Sequence, residues 1–187
     1  CFDQVLDIHM PLIGSHNVYN ALAAIAVGRV LGLTEHQLQR GLSEYRGMPM
    51  RQELIHLGEY TFINDAYNAN PASMSEALKS LSLLTKGRKI AVLGGMLELG
   101  DWTVREHEKI GAEAADLGLD ALITMGEPAS YIADAARKNG LDAVYTTEDH
   151  AGAADCLRRI LRPGDTVLLK GSRGFAMEKI LPYFERK

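Results

Sequence analysis

Residues 89–125, KIAVLGGMLELGDWTVREHEKIGAEAADLGLDALITM, decide the fold. The run Lys89–Leu93 is short, nearly all apolar, and stops at Gly94-Gly95. From Val104 to Leu117 the apolar residues return at helical spacing, and Ala121–Met125 is a second short apolar run. Strands with no polar face belong in a parallel sheet covered on both sides, with a helix as the crossover between them. The same rhythm extends both ways: Tyr60–Ile63, Ala143–Tyr145 and Thr166–Leu169 read as strands. Pro71–Leu84, Ala129–Lys138, His150–Ile160 and Met177–Phe184 read as helices. Gln52–Leu57 and Tyr60–Ile63, parted only by Gly58-Glu59, predict an antiparallel hairpin at one edge. The fold class from about residue 48 onward is therefore α/β, an open, mostly parallel sheet with helices on both faces. The strand order is not legible in such a pattern.

The preceding residues have a different rhythm. His16–Leu31 carries Val18, Leu22, Ile25, Ala26 and Val30 at helical spacing among alanines, and Gly32 stops it. Thr34, with Gln37 three residues on, predicts a capping box opening a second helix that runs to about Tyr45. Gly47-Met48-Pro49 is the natural break, which divides the chain into a helical piece, 1–47, and the α/β domain, 48–187.

The 187 residues, 47% hydrophobic and 24% charged, have the balance of a globular domain plus a piece of a neighbour. A net charge of −4 gives no basic footprint for nucleic acid, and no apolar run is long enough to insert in a membrane. The start, Cys1-Phe2-Asp3-Gln4, lacks the regions of a signal peptide and has no initiator Met, so a fragment or processed product is expected. Cys1 and Cys156 form no spaced pattern and read as free thiols of a reducing, cytoplasmic compartment. The six histidines show no paired metal spacing, so no metal site is expected.

Ligands of open parallel sheets bind beyond the carboxyl ends of the strands. Here the strands exit at Asn64-Asp65, Gly94-Gly95, Gly126-Glu127, Thr146-Thr147 and Lys170-Gly171-Ser172. Parallel strands put these exits on one rim, where a carboxylate, an ammonium, a hydroxyl and glycine-exposed N–H groups suit a polar, charged ligand. Each exit taken alone also serves as an ordinary strand-to-helix turn. The chain has no G-x-x-x-x-G-K-[ST] phosphate loop, no G-x-G-x-x-G opening and no G-x-S-x-G elbow.

Several motifs together resemble the Mur amide ligases. Gly14-Ser15-His16-Asn17-Val18-Tyr19-Asn20, running into Ala21-Leu22-Ala23-Ala24, is similar to the G-x-H-N-x-x-N-x-x-A-A segment that ends the family's central ATP-binding domain. Asp65-Ala66-Tyr67-Asn68-Ala69-Asn70-Pro71 resembles the D-x-Y-N-A-N-P of the member that adds D-alanyl-D-alanine. Val92-Leu93-Gly94-Gly95-Met96-Leu97-Glu98-Leu99-Gly100, with His107 downstream, resembles V-L-G-D-M-x-E-L-G…H, and Lys170-Gly171-Ser172-Arg173 resembles a terminal K-G-S-R. The resemblance covers nearly the whole chain. One position departs from it: residue 95 is Gly where the family pattern has Asp. Either a carboxylate that orients the amine or a neighbouring cation is lost, or the turn is simply remade.

The resemblance implies a Rossmann-like C-terminal domain preceded by the end of the ATP-binding domain. It also implies an ATP-dependent ligase of peptidoglycan precursor synthesis, joining D-alanyl-D-alanine to UDP-N-acetylmuramoyl-tripeptide. In such enzymes the γ-phosphoryl group passes to a substrate carboxylate, the amine attacks the acyl phosphate, and phosphate leaves, with Mg²⁺ neutralising phosphate charge. ATP and Mg²⁺ are expected to be held largely outside this chain, and the chain alone to be inactive.

By resemblance, Asn17 and Asn20 face the adenine, Arg51 reaches the phosphates and Asp65 holds the ribose hydroxyls. The alternative role for Asn17 and Asn20 is helix N-terminal capping and turn formation, and for Arg51 to be a solvated charge at a strand start. His16 is expected to be structural, and Met48, Met50 and Met96 to pack. Asn68 and Asn70 line the rim, or else make the turn before Pro71. Gly94, Gly95, Lys170, Ser172 and Arg173 fall at the incoming amino substrate, whose carboxylate calls for a cation and hydroxyl donors. Glu98 and His107 act on the amine proton or hold one another across their loop. Two other readings compete: a different Mur-type amino-acid ligase, against which stands the absence of a D-N-P-R-type motif, and a non-catalytic α/β binding module.

Overall fold

The computed structural model describes residues 5–185. Cys1 lies outside them. The chain divides into two compact units at the Met48–Pro49 bond.

The first unit is a helical pair, α1 (His16–Val30) and α2 (Glu35–Glu44). Gly32, at φ 81°, ends the path of α1 in a left-handed turn that few other residues adopt. Thr34 then opens α2 with the full reciprocal box, Gln37 N–H donating to Thr34 Oγ1 and Thr34 N–H to Gln37 Oε1. The two helices touch where Gly28 passes under Leu33 and Leu38. The apolar positions of α1 do not form a buried stripe within this unit. Ala21 and Gly28 are buried, while Val18, Leu22 and Val30 are exposed.

The second unit holds a six-stranded sheet in the order β1-β2-β6-β3-β4-β5. The strands are β1 (Glu53–Leu57), β2 (Tyr60–Asp65), β3 (Lys89–Gly94), β4 (Ala121–Met125), β5 (Val144–Thr147) and β6 (Thr166–Lys170). β1 and β2 form the antiparallel edge hairpin around Gly58, at φ 61°. All other neighbours are parallel, with Asp65 opposite Lys170 across β2–β6 and Leu93 opposite Lys170 across β3–β6. Helices α3 (Pro71–Leu84), α4 (Thr103–Asp116), α5 (Ser130–Lys138) and α6 (His150–Ile160) supply the crossovers.

Sequence alternation within the strands sorts the core. Phe62, Ile90, Val92, Ile123, Val167 and Leu169 pack with Ala153, Leu157, Met177 and Ile180, so α6 and the chain's last helical stretch cover one face. α3, α4 and α5 pack with one another in turn, and α3 and α5 also meet the sheet. The stretch predicted as a final helix, 177–184, is 3₁₀ rather than α over Met177–Tyr183. Pro182 lies inside it, and a residue with no N–H cannot continue an α ladder.

Candidate functional site

The rim is where β2, β3 and β6 end, and local sequence holds each exit in place. Asn70 caps α3 by accepting from Ser73 N–H at 2.8 Å while Ser73 Oγ accepts from Asn70 N–H at 3.0 Å, and Pro71 sits in the first turn. The cap fixes the loop 66–69 directly above β6.

Lys170 is the hub of that loop. It is 2% exposed, and its ammonium donates to Asp65 Oδ2 at 2.7 Å, to Asn68 O at 3.1 Å and to Asp65 O at 3.5 Å. Burial lowers its pKa from the usual lysine value; the Asp65 carboxylate pulls it back up and Arg51 pushes it down. The other Asp65 oxygen accepts from Gln52 N–H at 3.3 Å. Ser172, buried beside them, donates from Oγ to Ala69 O at 3.2 Å and accepts from Leu97 N–H at 2.9 Å. Its own N–H donates to Gly95 O at 3.0 Å. The exits of β2, β3 and β6 are thus stitched together through Asp65, Lys170 and Ser172.

Two cationic side chains stand at the outside of this cluster. Arg51 is exposed and stacks over the Tyr67 ring, 4.1 Å from its centroid. Arg173 is half exposed, donating to Ala66 O at 3.4 Å and pairing with Glu178.

Several expectations need correction. Lys170 does not present a free ammonium for a substrate carboxylate, because three oxygens of the 65–68 loop already take its donors. Of the two readings of Asn70, the turn before Pro71 is the one seen, since its side-chain oxygen caps α3, while Asn68 reaches the cluster through its backbone oxygen. Asn17 does not cap α1, whose N-cap is Ser15, but it does hold the turn before that helix. Its amide donates to Ile13 O at 2.6 Å and accepts from Asn20 Nδ2 at 3.1 Å. Asn17 and Asn20 do line a groove of about 470 Å³ in the first unit, walled by Ala21, Ala24, Leu38 and Tyr45. Met96 is buried as a packing residue, while Met48 is exposed.

Glu98 and His107 do not hold one another. His107 is fully buried, accepting from Met96 N–H at Nε2 (2.9 Å) and donating from Nδ1 to Thr103 O (2.6 Å). Those partners fix one neutral tautomer, and burial lowers the ring's pKa despite the opposing pull of the Thr103 carbonyl. Glu98 is exposed, at φ 64°. A folded-state pKa held below the ordinary histidine value gives stability that is complete above about pH 6.5 and is lost as pH falls through the folded value. Denaturant titrations from pH 7.5 to 5 are expected to show that loss, and His107→Gln to flatten it at a cost of about 1–3 kcal/mol at neutral pH.

Phe175, Tyr67 and Gln52 also hold the rim, and the sequence carries little signal for them. Phe175 carries no periodic signal, and Tyr67 stands out only as part of a motif. The Gln52 contact is made by backbone, which sequence does not register.

An open, mostly parallel sheet with helices on both faces and a polar rim stitched across adjacent strands defines an α/β domain of the doubly wound kind. Residues 50–173 match the family described as "Mur ligase, glutamate ligase domain". The chain belongs to the Mur ligase family. It is 38% identical over 175 residues to the UDP-N-acetylmuramoyl-tripeptide–D-alanyl-D-alanine ligase of Bacillus subtilis (strain 168), covering 92% of this chain and 38% of that protein. The Escherichia coli (strain K12) protein of the same name is 32% identical over 179 residues, covering 94% of this chain and 38% of its own. Among solved structures, a MurF from Acinetobacter baumannii superposes with a TM-score of 0.85 at 32% identity, over 94% of this chain and 39% of that one. The MurF ligase of Thermotoga maritima in complex with ADP superposes at 0.80 with 26% identity, over 91% and 38%. The chain therefore spans about 38% of the length of the curated relatives it matches.

Proposed function

We propose that this chain is the C-terminal part of an ATP-dependent ligase that joins D-alanyl-D-alanine to UDP-N-acetylmuramoyl-tripeptide in the cytoplasm. Residues before Pro49 are read as the end of its ATP-binding domain. The observation that carries the reading is the stitched rim: Asp65, Lys170 and Ser172 meet at the carboxyl ends of adjacent strands, with Arg51 and Arg173 at its edge. Relatives that align over nearly the whole chain bear that activity in their names, and the solved Thermotoga maritima neighbour carries ADP.

The residues divide the work by their chemistry. Asp65 retains a solvent-facing edge, its side chain being 12% exposed, and a carboxylate accepts ribose hydroxyls there. Arg51, held by Tyr67, offers a planar fork to phosphate oxygens. Arg173 offers the same fork to the carboxylate of the incoming dipeptide, with Ser172 shaping the turn that presents it. Lys170 is a positioning residue that holds Asp65 and the 65–68 loop. His107 is another, propping the backbone after Gly95 through Met96. Asn17 and Asn20, beside an apolar groove, are read at the adenine end.

The rim does not fit a Mg²⁺ cage. Asp65 is already committed to Lys170 and Gln52, and no three His, Cys, Asp or Glu side chains gather among the described residues. Mg²⁺ and most phosphate contacts are assigned outside this chain, and no residue of the rim acts through the metal. The work left to these residues is to place the nucleotide and the amine substrate next to one another.

The test uses a protein of the relatives' full length. Phosphate release from ATP that depends on both D-alanyl-D-alanine and the tripeptide precursor is expected; release that follows a different amino acid would overturn the reading. The 187-residue chain titrated with ATP by calorimetry is expected to bind more weakly than micromolar. Submicromolar affinity would contradict the placing of the phosphate contacts elsewhere.

A further inference from the structure

Gly94, Gly95 and Gly126 leave β3 and β4 side by side, and one side chain bears on all three. A Cβ added at Gly94 would lie 2.9 Å from Phe175 Cβ and Cγ and from Met177 Sδ. At Gly95 it would lie 3.0 Å from Phe175 Cζ and 2.9 Å from Pro128 Cβ, and at Gly126 it would lie 2.5 Å from Phe175 Cε1. Gly126 also has φ 85°, which favours glycine for its own reason. Gly94 and Gly95 have no positive φ, so space alone demands glycine there.

Phe175 is held at its backbone as well. Its carbonyl accepts from His150 Nε2 at 2.8 Å, its N–H donates to Ser172 O at 2.8 Å, and Ala176 follows in the left-handed region. The turn it closes carries Ser172 and Arg173, and that turn is tied to Gly95 O through the Ser172 N–H.

We infer that Phe175 is a positioning residue whose ring, seated on Gly94, Gly95 and Gly126, sets the turn bearing Ser172 and Arg173 and, together with Pro128, crowds any side chain placed at position 95. The functional part rests on the proposed reading of this turn as the amine-substrate end of the rim. The chemical consequence is a neutral exit from β3.

The experiment compares Gly95→Asp, Phe175→Ala and the double variant in the full-length protein, with Phe175→Leu as a variant that keeps apolar bulk. Gly95→Asp alone is expected to lower Tm by about 1–3 °C, the scale of overpacking in a protein of the relatives' full length. In the Phe175→Ala background the same substitution is expected to cost less than half as much. Phe175→Ala is expected to raise KM for D-alanyl-D-alanine about tenfold while KM for ATP stays within twofold, with Phe175→Leu intermediate. Equal losses of Tm from Gly95→Asp in both backgrounds would refute the crowding. Parallel rises in both KM values, or no rise in either, would refute the positioning role. The Tm comparison needs no activity, so failure of the ligase reading itself would appear separately, as wild-type protein that does not use the dipeptide.

Discussion

Lys170→Met is expected to lose about 3 kcal/mol of unfolding free energy, because it leaves a largely buried carboxylate, wet only along one edge, without its cation. Asp65 is 8% exposed and its Oδ2 has the Lys170 ammonium at 2.7 Å. Methionine has the length of the lysine stem but no donor, so the Asp65 charge and the carbonyls of Asp65 and Asn68 all lose a partner. Removing the charge as well should recover much of the loss, since a buried pair replaced on both sides is often close to neutral. Asp65→Leu combined with Lys170→Met is therefore expected to unfold at a higher denaturant concentration than Lys170→Met alone. Nucleotide use separates stability from function: the double variant should keep a KM for ATP raised by tenfold or more, because neither the carboxylate nor its anchor remains. A double variant no more stable than the single would show that the pair is not coupled as the 2.7 Å contact requires.

Gly111→Ala is expected to be the other severe substitution, for a different reason. Gly111 lies on α4 where α5 crosses it, and an added Cβ would sit 2.2 Å from Ile132 O, 2.8 Å from Ala135 Cβ and 2.9 Å from Ala136 N. Two of those atoms are backbone of α5, which cannot swing aside as a side chain can. Alanine favours a helix over glycine by about 1 kcal/mol, and forcing the helices apart costs roughly 3 kcal/mol or more, so overpacking wins. Gly41 in α2 supplies the control. Nothing lies within 4 Å of its built Cβ, so Gly41→Ala should gain up to about 1 kcal/mol. Urea unfolding midpoints that move in opposite directions at the two positions would bear this out; a stabilised Gly111→Ala would contradict the packing of α4 on α5.

The contrast between these glycines also marks where sequence stops informing. The strands after residue 48 are legible because β3, β4 and β6 are apolar on both faces, and Thr34–Gln37 and Asn70-Pro71 signal helix starts by local chemistry. The strand order is not, since nothing local tells β6 to enter between β2 and β3. Around the rim, residue types are legible and their commitments are not. Lys170 reads as a free cation until its three acceptors, about a hundred residues earlier in the chain, are placed around it. His107 reads as an acid–base candidate until Met96 and Thr103 occupy both nitrogens. Gly95 reads as either a missing carboxylate or a remade turn until Pro128 and Phe175 are seen crowding the space a side chain would need. The apolar periodicity of α1 correctly gives a helix, and its exposed Val18 and Leu22 show that periodicity does not name what a face meets.

The place of β6 bears on how the domain comes into being on the ribosome. Chains are made from the N-terminus at about 5–20 residues per second. Until Thr166–Lys170 emerges, the hydrogen-bonding edges of β2 and β3 have no strand to share, and the hairpin and the β3–β4–β5 ribbon remain separate leaves. The latest strand to be synthesised is the keystone that joins them, and it brings Lys170 to Asp65 in the same step. Assembly of the sheet and assembly of the rim are thus one event, and a nascent chain arrested before it has neither.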